Sequence, residues 1–192
     1  NLFYQGFSYS GNSFVYDNDM NGDGVTNDLI YIPNSKDEIK FVDVTDKEGN
    51  VKYSAAAQAD AFWAFVNQDD YLKSHKGEYA EAYAARAPWL NRLDLRLTQD
   101  FAFKTGSQQH KFQVSLDVQN FGNMLNSHWG VYETSASCKN GAVLHYAGKN
   151  ESNVPTFTMN EYDGKLIKDS YAPLKSDANT WRLQIGLKYF FN

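Results

Sequence analysis

The residues best suited to chemistry in this chain lie together at 17–28, which reads DNDMNGDGVTND. Asp19, Asn21 and Asp23 stand at alternate positions, and Gly24 follows at once. A hard divalent cation takes several oxygen ligands at about 2.4 Å, and alternate residues of a tight turn direct theirs inward. Gly24 permits the sharp reversal, and Val25 can offer its carbonyl. The spacing predicts a calcium loop held by Asp19, Asn21, Asp23, Val25, Asn27 and Asp28, acting as a clip on a long connection. The EF-hand pattern ends in a bidentate Glu, but that position is Ile30 here, so Asp28 or Asp17 must complete the shell. The same residues also suit a metal-free loop of Asx turns.

Other chemistry is sparse. His75, His110, His128 and His145 show no metal-ligand spacing, no GxSxG elbow occurs, and the carboxylates are scattered. The expectation is a protein that is not an enzyme, with no catalytic residue. Candidates for substrate contact are ring platforms and charged donors: Trp63, Trp89 and Trp129, with Arg92, Asp94 and Arg96. A net charge of −5 argues against nucleic acid, which requires a basic face. Cys138 is the lone cysteine, so no internal disulfide forms.

These residues need elements to position them. Thr180 to Phe191 reads TWRLQIGLKYFF: Trp181, Leu183, Ile185, Leu187, Tyr189 and Phe191 share one face, opposite Arg182, Gln184, Gly186 and Lys188. Asn91–Phe103 and His110–Phe121 alternate likewise, with Leu93, Leu95 and Leu97 in one and Phe112, Val114, Leu116 and Val118 in the other. Strands are expected near 2–16, 91–103, 110–121 and 180–191, with a polar turn at 105–109 making a hairpin of the middle two. About ten residues at ~3.3 Å each, tilted by ~40°, span roughly 25 Å, the height of the apolar band of an outer-membrane barrel. A soluble sandwich alternates as well, so periodicity alone fits both.

The remainder reads as two long loops, 17–90 and 129–179. The first holds a helix, Ala55 to Leu72, with Ser54 as its N-cap and Ala59, Phe62, Phe65 and Val66 as its apolar stripe. The second carries weak strand signals at 143–146 and 155–159, and a hairpin tip at Asp163-Gly164. Mean hydropathy is −0.58 and no run approaches the ~20 apolar residues of a membrane helix. A barrel strand is half polar and escapes that test. Aromatics reach 16%, which suits barrel girdles or sugar-stacking platforms. No signal peptide opens the chain, so a mature, processed or partial polypeptide is expected.

Four runs in order carry a resemblance: FVYDNDMNGDGVTNDLIYIP (14–33), APWLNRLDLRLTQDF (87–101), FQVSLDVQNFGNMLNSHWG (112–130) and the terminal WRLQIGLKYFF. Together they look like the C-terminal end of a TonB-dependent receptor of the Bacteroidetes-like, carboxypeptidase-regulatory-like group. The resemblance implies an all-β fold: about the last four strands of an antiparallel transmembrane β-barrel of roughly 22 strands, with long extracellular loops. It covers the whole chain, 1–192, as one barrel segment. It implies nutrient uptake across the outer membrane of a Gram-negative bacterium. The implied partners are the remainder of the barrel and its plug, TonB through an N-terminal part beyond this chain, outer-membrane lipid and a surface lipoprotein. Calcium is the one cofactor expected, from the loop at 17–28. The alternative from a different class is a soluble, secreted β-rich module that binds glycans. The two differ in whether Leu93, Leu95, Val114, Leu116, Leu183 and Ile185 face lipid or a closed protein core.

Overall fold

A computed structural model describes residues 1–8, 11–135 and 141–191; Cys138 and Asn192 lie outside the described residues. The chain is mostly β, 45% strand and 16% helical. It forms two compact units, one of Asn1–Ser8, Pro88–Glu133 and Pro173–Asn192, the other of Tyr9–Ala87 and Thr134–Ala172. The elements that matter below are, in chain order, β1 (Leu2–Ser8), β2 (Val15–Tyr16), β3 (Lys40–Phe41), α1 (Ala55–Gln68), α2 (Asp70–Ser74), β4 (Trp89–Thr105), β5 (Gln108–Gln119), α3 (Phe121–Leu125), β6 (Ala142–Lys149), β7 (Pro155–Met159) and β8 (Arg182–Phe191).

The first unit is an antiparallel sheet in the order β1-β4-β5-β8. The expected strand 2–16 is two strands. Pairing of β1 ends where Ser8 meets Trp89 at the start of β4, and Val15–Tyr16 belongs to the sheet of the other unit. The turn between β4 and β5 is shorter than the five polar residues suggested. Thr105 pairs with Gln108, leaving only Gly106 and Ser107 between them, with Gly106 at φ +66°. A two-residue hairpin turn demands positive φ, which glycine supplies without a steric cost.

Strand periodicity then sorts the side chains. Cross-strand partners put Leu95, Val118 and Leu183 in one row, Leu97, Leu116 and Ile185 in the next, and Gln99, Val114 and Leu187 in a third. Toward the turn the same face becomes aromatic, with Phe101, Phe112 and Tyr189 in one row and Phe103, His110 and Phe191 beyond it. The rings stack: Phe112 and Tyr189 lie 4.6 Å apart and Phe103 and His110 5.1 Å apart. At the opposite end Tyr4 faces Leu93, and Trp89 lies on the same side. The face is not enclosed. Ile185 and Leu187 are each 70% exposed, and Leu93, Leu95 and Leu116 only half-buried. Among the described residues, β1 and β8 end the sheet as edges, and no sheet closes into a barrel.

The segments expected as long loops are not loose. They supply the second unit with a core of its own, including Phe14, Tyr16, Ile30, Ile32, Phe62, Phe65, Leu144 and Phe157. Its sheet runs β2-β6-β7-β3, with β6 and β7 antiparallel and the outer pairs parallel. Helix α1 starts as its sequence indicates: the Ser54 hydroxyl accepts the Ala57 N–H. It buries Phe62, Phe65 and Val66 as the stripe predicted. It stops at Gln68, short of the expected Leu72, because the Asp69 carboxylate accepts the N–H groups of Tyr71 and Leu72 and starts α2 as a separate turn.

Candidate functional site

The loop at 17–28 is anchored to β6, where the Asn18 amide exchanges hydrogen bonds with the Tyr146 backbone (both 2.9 Å). Asp17 contacts the His145 ring at 2.5 Å. Within the loop the carboxylates turn to local N–H donors. Asp19 accepts from Gly22 (2.6 Å), Asp23 (3.2 Å) and Gly24 (2.8 Å). The Gly24 N–H above all, helped by those of Gly22 and Asp23, holds the Asp19 carboxyl below the usual carboxylate range. Gly22 and Gly24 have φ of +82° and +87°, which is what lets these amides converge.

Asp28 accepts from Met20 (2.7 Å) and Asn21 (3.2 Å), and Asp23 accepts from Val25 (2.8 Å). The decisive group is the Asn21 side-chain amide, which donates to both Asp23 (3.1 Å) and Asp28 (2.8 Å). Its NH2 stands between two carboxylates, where a cation would be expected. Asn27 is exposed and stands apart from these contacts. Among the described residues, no three His, Cys, Asp or Glu side chains gather closely enough to hold a metal ion. Asp19 Oδ2, Asp28 Oδ1 and both Asp23 oxygens accept one N–H each and keep a lone pair, while Asp19 Oδ1 and Asp28 Oδ2 accept two each, so part of the donor set suits a hard cation once Asn21 turns.

The substrate candidates do not form one site. Trp63 is half-buried against the core of the second unit, with the Lys76 ammonium 4.2 Å above its ring. Trp89 is 62% exposed on the apolar face of the first sheet. Gly6 makes room there, since a Cβ at that position would stand 3.1 Å from the indole nitrogen and 2.6 Å from the Tyr4 oxygen. Trp129 is exposed beyond α3, where the Asn123 amide donates to its carbonyl at 3.0 Å.

Arg92, Asp94 and Arg96 do share the opposite, polar face of β4. The Arg92 Nε donates to Asp94 at 3.3 Å. Asp94 also accepts the Asn120 N–H at 2.6 Å, where the backbone turns left-handed (φ +53°) into α3, so its position is set partly by the turn. Arg96 grips Asp117, its cross-strand partner, through both Nε and Nη2, the latter at 3.0 Å. Further along, Asp100 takes Lys111 (2.6 Å) and the Gln113 amide (2.9 Å).

A cavity of about 330 Å³ opens on this polar face, lined by Phe3, Asp94, Arg96, Asp117, Gln119 and Gln184 among others. Asp117, Gln119 and Gln184 were not among the sequence candidates. The signal that finds them is hairpin register. Once Thr105 pairs with Gln108, Arg96 must face Asp117, and β8 pairing then brings Gln184 beside Asp117. A bidentate ion pair flanked by amides can bind and orient a polar solute. No nucleophile-and-base pair occurs among these residues. No family model, no curated protein and no solved structure matches the chain.

Proposed function

We propose that this chain is the C-terminal barrel segment of a TonB-dependent outer-membrane transporter, working in nutrient uptake without catalysis. One observation carries the reading: an antiparallel sheet with one face of Leu, Val and Ile rows, aromatic at both ends, left largely uncovered, with Val118 the one buried member of those rows. In water an apolar patch of that extent is a liability. In a bilayer it is the lipid-facing band with its two girdles. The opposite face, with Arg96–Asp117 and Asp100–Lys111, then lines the lumen, where charges stay hydrated or meet a plug.

The other features support the same orientation. The two-residue turn at Gly106-Ser107 is the short periplasmic kind, and both long connections leave the sheet at the other end, as extracellular loops do. The free edges of β1 and β8 need partner strands, because each unpaired backbone group in lipid costs several kcal/mol. The rest of the barrel supplies them, and its plug and TonB contact lie beyond this chain. A surface lipoprotein over the extracellular loops belongs to the same proposal, as does a structural calcium at 17–28.

The test is to fractionate the source cells and probe with an antibody raised against residues 163–176. A band in the outer membrane, several times heavier than the 21.8 kDa of this chain, is expected. A soluble band of that mass would retire the transporter. It would favour the glycan-binding module, for which the exposed rings of Tyr79 (70%) and Tyr83 (75%) in the second unit speak.

A further inference from the structure

The second unit carries a groove that none of the chemistry above uses. Its volume is about 580 Å³, within the usual range for a small-molecule site. Ala61 and Ala64 of α1, Leu166 and the Tyr53 ring give it an apolar floor, and Lys165 and Lys168 stand at its rim. One wall is a locked hairpin in which Glu161–Tyr162 pairs with Lys165–Leu166. Asp163 and Gly164 make its turn at φ +54° and +75°. The Tyr53 hydroxyl donates to the Gly164 carbonyl at 3.0 Å, and Lys52 binds both oxygens of Glu161 at 2.6 and 2.7 Å. The groove is therefore built before any ligand arrives.

Its charge is one-sided. Neither Lys165 nor Lys168 has a salt bridge among the described residues, and no carboxylate lines the groove. Two ammonium groups beside an apolar trough complement a ligand with an apolar body and an anionic head. Lysine acts as a point charge on a long stem, so it follows such a head without fixing its geometry. We infer that this groove binds an amphipathic anion. The inference is independent of the transporter reading, because it rests on the second unit alone.

The test is calorimetric titration of the full chain, held in an amphipathic polymer, with dodecanoate below its micellar concentration and with dodecyltrimethylammonium as the charge control. Saturable binding of dodecanoate and none of the cation is expected. The double variant K165E/K168E should bind dodecanoate at least about tenfold more weakly, since both anchoring charges are reversed. Ala64 is exposed, so A64W should fill the floor and abolish binding with circular dichroism unchanged. Should A64W misfold, the exposed lysine pair carries the test. Equal binding of both surfactant ions, or wild-type affinity in the lysine variant, would show partition onto the apolar sheet and overturn the inference. So would a groove that takes an acidic amphipathic peptide but not dodecanoate.

Discussion

The Asn21 amide is the residue on which the chemistry of the 17–28 loop turns. It occupies the gap between Asp23 and Asp28 with hydrogen bonds of 3.1 and 2.8 Å, so calcium can enter only when that amide swings out. Millimolar calcium should then raise the melting temperature of the wild-type chain relative to EDTA, and should leave D19N/D23N where it was. An unchanged wild-type melting temperature retires the calcium clip. Protons probe the same loop in a second way. The ionised Asp19 accepts three backbone N–H groups, so its folded pKa lies below the unfolded value of about 3.9. A depressed carboxyl contributes its stabilisation above the unfolded pKa and loses it as pH falls through the folded one. The Gly22 and Gly24 amide resonances should therefore hold steady from neutral pH to about 4 and move below it. Movement centred near neutrality would assign those shifts to another group.

At the scale of elements, Asp69 shows how one side chain divides a helix that periodicity alone would continue. One oxygen caps α2 and the other accepts the Ser170 hydroxyl at 2.5 Å, tying the break to a distant segment. Asp69→Ala should cost about 1–2 kcal/mol, the range of a lost N-cap. In hydrogen exchange, α2 amides should lose protection while those of α1 keep theirs; loss in α1 would mean the two helices behave as one. The Ser54 cap, the Phe62-Phe65-Val66 stripe and the Asp163-Gly164 turn were legible because each is local chemistry. The register of β1 was not, because Ser8 meets its partner Trp89 only where β4 begins, some eighty residues later in the chain. Gln58 escaped notice for the same reason. It is fully buried on α1, bonded to the Val42 carbonyl at 2.8 Å and the Met159 N–H at 3.0 Å, and reads in sequence as one more polar helix residue.

For the whole molecule, alternation revealed the faces of the first sheet but not the register that pairs Arg96 with Asp117. It gave no hint that two distant connections would share a core, because the parallel pairing of β2 with β6 joins residues 15–16 to 142–144. A single substitution tests which solvent covers the apolar face. Ile185 sits in the middle row with Leu97 and Leu116 and is 70% exposed. In a bilayer, arginine there faces the hydrocarbon midplane and costs about 2–4 kcal/mol. In a water-soluble module the same exposed change falls within about 0.5 kcal/mol of neutral. Thr98 provides the control, since it pairs with Ser115 on the polar face, beside Gly186. Made in the polypeptide that carries this chain in its source cell, Ile185→Arg should deplete the outer-membrane band sharply, while Thr98→Lys should leave it at wild-type level. If both variants accumulate alike, Ile185 does not meet lipid, and this face lies in water as in the soluble module.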